Sequence, residues 1–169
     1  MFPIILFFFL FLELTVVSYL DYKYKKIKNI WSVLNLIVFV FCIFIYPDLF
    51  SISFGTFFYP VVFLGVGFIL FTLKVMGGGD SKFLFSFFLL VPEAFHEVFF
   101  MKLIYSTIMI GLFLLLFNTV KNFDKLIELT KYKQFTRYRE VYGTKFAYAP
   151  VIGISWIIFG WEIRKLLQI

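Results

Sequence analysis

Apolar positions along the chain fall into six runs that short polar connections separate. The runs cover residues 2–20, 30–46, 57–75, 83–91, 103–120 and 146–161. All but the fourth have the length of a helix that crosses a hydrocarbon core roughly 30 Å thick, and in that medium backbone groups must be paired within the helix. The pattern therefore predicts an all-α fold, a polytopic membrane helix bundle with about six transmembrane helices, in a single membrane-embedded domain over residues 1–169.

The fourth run is too short to follow this pattern, because it covers only 83–91 before Pro92. A helix over the 16 residues from 80 to 95 would rise about 24 Å. It could cross only with a thinned bilayer or with its ends buried in protein. A half-inserted helix is the alternative interpretation of this segment.

Composition supports a membrane protein, because 62% of the residues are hydrophobic and 28 of the 169 are phenylalanine, which leaves too little polar surface for a soluble globule. The single cysteine, Cys42, excludes an intrachain disulfide and a cysteine zinc site. His96 stands between Glu93 and Glu97, a weak metal constellation for which a solvated external turn is the favoured interpretation. We expect no metal, no cofactor and, since no basic and aromatic binding motif occurs outside the spans, no nucleic-acid partner.

Lysines and arginines indicate the orientation in the membrane. Four lysines lie within 23–28 and seven basic residues within 121–145, so both connections are predicted to be cytoplasmic. This places the N-terminus and the C-terminus outside, with Trp156 and Trp161 toward the outer interface. Lys102, near the outer edge of the fifth run, can snorkel toward headgroups.

The longest cytoplasmic connection has the pattern of an amphipathic helix. Phe123, Leu126, Ile127 and Thr130 recur at spacings of three and four, with lysines nearby. Such a segment is typical of a helix that lies on anionic membrane lipid, and a role in guiding a substrate is the alternative. The predicted location is the inner (cytoplasmic) membrane, with multiple spans.

Two aspartates lie where apolar runs end on the predicted cytoplasmic face. Asp21 follows the first run, and Asp80 follows the third run and the glycines 77–79. An ionisable carboxyl at a membrane boundary is a functional hypothesis by default, and glycines let the main chain approach a bound peptide closely. The alternatives are a helix-end carboxylate that balances the lysines for Asp21, and a solvated glycine-rich turn for Asp80.

The two carboxylates could act together if they approach each other across the bundle. Like-charge repulsion in a poorly solvated site raises one pKa, so the pair can share one proton near neutral pH. An aspartic protease requires this arrangement, in which the ionised acid takes a proton from water and the protonated acid donates to the scissile carbonyl.

Three motifs resemble the type IV prepilin peptidases, a family of membrane aspartyl proteases. Gly77-Gly78-Gly79-Asp80 with Lys82 fits the family's Gly-x-Gly-Asp-x-Lys pattern. Asp21 followed by Ile27-Lys28-Asn29 is similar to its first catalytic motif, an aspartate and then a basic stretch closing in Ile-Pro-Asn. Phe146-Ala147-Tyr148-Ala149-Pro150 is similar to its Pro-Tyr-Ala-Pro stretch.

The resemblance implies a specific activity and a set of site residues. Asp21 and Asp80 would be catalytic, and the substrate would be a type IV prepilin or pseudopilin that is cut on the cytoplasmic side of its hydrophobic helix. The residues implied to bind substrate or to shape the loops are Gly77, Gly78, Gly79, Lys82, Asn29 and Pro150.

The chain departs from the family pattern in two prolines and one insert. Lys28 and Ala147 stand where the family usually has proline, which bears on loop rigidity. The family's larger members carry an insert with paired Cys-x-x-Cys zinc motifs, whereas the connection 21–29 has no cysteine. We therefore expect peptidase activity without methyltransferase activity.

Two other functions remain open. Glu13 lies inside the first run, where a structural hydrogen bond to a neighbouring helix is the favoured interpretation. With Asp21 and Asp80 it could instead form the proton path of a small proton-coupled transporter. The third possibility is an inactive structural subunit of a secretion system.

Overall fold

The computed structural model describes residues 2–72, 77–131 and 147–164, which contain seven α-helices, one 3₁₀ turn and no strand. The elements are α1 Ile4–Tyr24, α2 Asn29–Ile45, α3 Phe54–Thr72, α4 Gly78–Leu89, the 3₁₀ turn Glu93–Phe95, α5 His96–Lys121, α6 Phe123–Lys131 and α7 Ala149–Ile163. For the described residues, the predicted all-α class is confirmed.

Three helical segments are long and apolar enough to span a membrane, namely α1, α3 and Glu93–Lys121, which joins the 3₁₀ turn to α5. The helices α2 and α7 are apolar but shorter. Large hydrophobic side chains cover the outer faces of these helices, and Phe44, Phe68 and Met109 are each more than 60% exposed. So much exposed apolar surface is typical of a protein that faces lipid.

The short helix α4 lies in the middle of the bundle. Its twelve residues rise about 18 Å, which is less than the thickness of a hydrocarbon core. It packs against α2 and α3, while the Phe87 ring contacts Phe99 of α5 and Trp156 of α7. Eight of its twelve residues are buried, from Asp80 to Leu89, so protein encloses most of the helix.

His96 explains where α4 ends, and it corrects the prediction of a solvated turn. Its side chain is only 1% exposed. The ring nitrogen Nε2 lies 3.0 Å from the carbonyl oxygen of Phe88 and 2.7 Å from that of Val91. The last carbonyls of a helix lack partners within it, and His96, at the start of α5, offers a partner to Phe88 near the end of α4 and to Val91 just beyond it. Within the described ranges, no cluster of metal-ligating side chains occurs.

The two tryptophans of α7 have different environments, so the prediction of an interfacial pair is wrong for Trp156. That residue is fully buried, and its indole Nε1 donates a hydrogen bond to the carbonyl oxygen of Phe7 at 3.3 Å. Trp161 is exposed. Positions five apart on a helix point about 140° away from each other, so the two side chains cannot share one face.

Two charged segments behave differently from the sequence-based expectation. Lys102 forms an ion pair with Glu162 of α7, so its ammonium is held by protein. The amphipathic helix exists as α6, with Leu126 and Leu129 buried and Phe123 exposed. The rest of that predicted segment, beyond Lys131, lies outside the described residues.

Candidate active site

The end of α1 positions Asp21. The helix continues past the apolar run to Tyr24, so Asp21 lies in its last turn and is only 3% exposed. Lys25 then adopts a left-handed conformation, with φ of 51°, and its N–H donates to the Asp21 carbonyl oxygen at 2.8 Å. Such a residue is a common way to end a helix. The chain turns there, and the following Ile27 is buried.

The start of α4 positions Asp80 in the same way. The Gly77 N–H donates to Asp80 Oδ2 at 3.0 Å, and the Asp80 N–H donates to the Gly77 carbonyl oxygen at 3.1 Å. These bonds satisfy amides that the first turn of a helix leaves unpaired. Asp80 is 5% exposed, so its carboxyl is held inside the protein rather than in a solvated turn.

Gly79 lets the two helix ends meet. A Cβ atom at this position would collide with the carbonyl oxygen of Ile27, in the connection that follows α1. Only a glycine permits this close approach of backbone to backbone. The contact places the first turn of α4 directly beside the chain that leaves the last turn of α1, and therefore brings Asp80 toward Asp21.

Gly79→Ala is expected to destabilise the protein, because its methyl group must push α4 away from Ile27. Overpacking of this kind costs about 1–3 kcal/mol, and it would be measured as a lower melting temperature in detergent. Gly78→Ala is the matched control, since a Cβ there would lie 3.5 Å from the Phe71 ring, an ordinary contact. Equal melting temperatures for the two variants would contradict the proposed role of the contact.

The start of α7 completes the site from a third direction. The backbone N–H of Ala149 donates to Asp21 Oδ2 at 3.1 Å. Pro150 lies in the first turn of α7, a position where its missing N–H removes no helical bond. The Tyr148 hydroxyl is 3.0 Å from Thr107 Oγ1 of α5. This hydrogen bond connects the residue before α7 to α5.

Electrostatic coupling links the two carboxyls. Asp80 lies outside the helices that are long enough to span, and burial, followed by the charge of Asp21, raises the pKa of Asp80 to about 6, although the Gly77 N–H opposes the rise. Burial also raises the pKa of Tyr148, with a further contribution from the Asp80 charge. Asp80 therefore lies close enough to both Asp21 and Tyr148 for charge interactions with each.

Comparison of the chain with models of known families, with curated proteins and with solved structures finds no match in any of the three. The chemistry follows from the site's own residues. Asp21 has a fixed amide donor, while Asp80 has a pKa close enough to neutrality for its carboxyl to carry a proton. Such a pair can activate water with one acid and donate a proton with the other.

The remaining predicted site residues lie near the two acids or at the surface. Gly78 packs near Phe71 of α3. Lys82 of α4 and Asn29, the first residue of α2, are both exposed. Residues 73–76 lie outside the described part, so the structure says nothing of the chain immediately before Gly77.

Sequence reasoning did not assign roles to two groups of the site. They are the backbone N–H of Ala149, which bonds to Asp21, and the Tyr148 phenol, whose pKa the Asp80 charge helps to raise. Both belong to the segment 146–150, where motif resemblance gave the only signal. A backbone N–H donor is present at every residue except proline, so the sequence does not show which one bonds to Asp21. Only the three-dimensional structure identifies it.

A second buried polar group lies two helical turns before Asp21 on α1. Glu13 is 4% exposed, and its carboxyl lies near the Asn35 amide of α2 without forming a hydrogen bond of good geometry. The Asn35 amide in turn donates to Ser86 Oγ of α4 at 3.5 Å. Glu13 therefore lies inside the bundle beside polar groups of two other helices, but the predicted structural hydrogen bond to a neighbouring helix is not formed.

Proposed function

We propose that this chain is a membrane-embedded aspartic endopeptidase that removes the leader peptide of type IV prepilins or pseudopilins. One observation carries the proposal: Asp21 and Asp80, at the ends of separate helices, share one buried site in which the charge of the first raises the pKa of the second. The motifs around both acids, which resemble the prepilin peptidases, support this choice of substrate.

The two acids have different roles in the proposed hydrolysis. The Asp21 carboxylate, held by the Ala149 N–H, takes a proton from water as the water oxygen attacks the scissile carbonyl carbon. Protonated Asp80 donates its proton to the carbonyl oxygen. The tetrahedral intermediate then collapses: Asp80 recovers its proton, and Asp21 delivers the one it holds to the leaving nitrogen. The products are a free leader carboxylate and a new amino terminus.

The proposed setting is the cytoplasmic membrane. The lysines between α1 and α2 favour a cytoplasmic location for that connection, and the site lies beside it. Six membrane-inserted helices, with α4 as the short enclosed one, would leave both termini outside. A leader on the cytoplasmic side of a hydrophobic substrate helix would then reach the two acids.

Leader cleavage tests this function directly. The full chain would be co-expressed with candidate prepilins from the same genome, and the mass of each recovered prepilin would be measured. Loss of the leader mass in the presence of the chain is expected. Uncut prepilins throughout, with the chain correctly inserted in the membrane, would contradict the proposal.

The buried cluster at Glu13 favours a second candidate, a proton-coupled transporter, and one substitution separates the two functions. Glu13→Gln keeps the size of the side chain and a polar group beside Asn35 but removes the titratable proton, so leader cleavage should change by less than about threefold. A transporter that relays protons through Glu13 would lose proton uptake in the same variant. Cleavage rates and proton uptake into proteoliposomes measure the two outcomes, and Glu13→Leu shows separately what the cluster contributes to stability.

A further inference from the structure

A cavity of about 440 Å³ opens between the end of α1 and the start of α2, next to the candidate active site. Its lining residues are Val17, Leu20, Tyr24, Lys26, Ile27, Lys28 and Trp31. Neither Asp21 nor Asp80 lines it. The Asp21 carboxylate instead accepts its bond from Ala149 of α7, so this cavity is distinct from the site that holds the two acids.

The cavity is lined by both apolar and cationic side chains. Val17 and Ile27 are buried, whereas Lys26 and Lys28 are exposed. A half-buried indole, Trp31, also lines it. Indole rings are commonly found at the headgroup level of a bilayer, and lysines next to a spanning helix attract anionic lipid.

The four lysines of this connection are not equivalent. The Lys23 ammonium lies 5.3 Å from the centre of the Tyr24 ring, and the Lys25 ammonium lies 5.1 Å from that of Tyr22. These distances are typical of cation–π contacts. Lys26 and Lys28 line the cavity, and among the described residues no carboxylate pairs with either of them.

We propose that this cavity binds one anionic phospholipid, whose headgroup phosphate contacts Lys26 and Lys28 and whose first acyl methylenes lie against Val17, Leu20 and Ile27. The positive charges of Lys26 and Lys28 favour a phosphate, and the apolar side chains of Val17, Leu20 and Ile27 favour a lipid over a soluble anion. The volume, about that of fifteen water molecules, accommodates the headgroup and the upper part of a chain. A bound lipid would support the end of α1 that carries Asp21.

Fluorescence quenching tests the lipid site independently of peptidase activity. The full chain in phosphatidylcholine nanodiscs would be titrated with phosphatidylglycerol brominated on its acyl chains, and separately with brominated phosphatidylcholine. Both lipids should quench Trp31, but the apparent affinity for brominated phosphatidylglycerol should be higher than that for brominated phosphatidylcholine by on the order of tenfold. The reason is that each lysine near the surface adds to the attraction for an anionic headgroup. Trp31→Phe should remove this component of the signal.

A pair of double variants provides the matched control. Lys26→Gln with Lys28→Gln should abolish the preference for the anionic lipid, whereas Lys23→Gln with Lys25→Gln, which removes the same charge from the same connection, should keep it. Equal losses in both double variants would show diffuse surface attraction and overturn the site. The proposal is also wrong if soluble glycerol phosphate alone shifts the Trp31 emission. A Trp31 emission that depends on protein concentration in pure phosphatidylcholine would indicate that a second copy of the chain occupies the cavity, and it would likewise contradict the lipid site.

Discussion

Asp80→Asn is expected to reduce the rate of leader cleavage by at least about 10²- to 10⁴-fold, and Asp21→Asn by a similar factor. Asparagine keeps the shape of aspartate and an oxygen that can accept the Gly77 or Ala149 N–H. It cannot, however, take a proton from water or donate a carboxylic proton to the scissile carbonyl. Single-turnover rates with excess enzyme, measured by mass spectrometry of the prepilin, isolate the chemical step.

The control is Asp48→Asn, which changes an exposed acid in the connection between α2 and α3. It should cleave at the parent rate. Both active-site variants should also retain the parent's tryptophan emission and a cooperative melt, which shows that the loss is chemical. An Asp80→Asn chain that is folded and cleaves at the parent rate would overturn the mechanism. It would show that Asp21 and Asp80 have a structural role and not a catalytic one.

The sequence predicts the helical class, because this depends on local patterns of apolar and polar residues. It does not predict the helix ends. The first apolar run ends at residue 20, yet α1 continues to Tyr24 because a left-handed Lys25 ends the helix. The length of an apolar run depends on which residues must be apolar, whereas the position of a helix end depends on where the backbone hydrogen bonds stop.

Proximity within the membrane plane is the second property that local patterns do not contain. Asp21 and Asp80 could lie on one face of a membrane and still be far apart. The approach of Gly79 to Ile27 brings their helix ends together, and this is a contact between backbones distant in sequence. The same reason applies to His96 and Trp156, for which the sequence indicates a solvated turn and the membrane interface. Both are buried because α4 lies between the other helices.

Cleavage should slow as the pH rises above about 6, because the proposed mechanism requires protonated Asp80. With a pKa of about 6, roughly half of the Asp80 side chains carry the proton at pH 6, and about one in a hundred carry it at pH 8. The value of kcat/KM is therefore expected to fall about 50-fold over this interval, and by tenfold per pH unit at its upper end. A rate that is flat from pH 6 to pH 8 would exclude Asp80 as the general acid.

The same proton should appear in the stability of the protein, without any substrate. The folded-state pKa of Asp80, about 6, is above its usual 3.8, so folding favours the protonated acid. This contribution to stability is complete below about pH 4 and is lost as the pH rises through 6, by about 3 kcal/mol in all.

Asp80→Asn is neutral at every pH and should therefore melt at a higher temperature than the parent at pH 8, but at nearly the same temperature at pH 3.5. Titrating groups that are not coupled to Asp80 are common to both chains and cancel in the difference. A difference in melting temperature that does not vary with pH would show that Asp80 is not held in a proton-binding site, whatever the substrate proves to be.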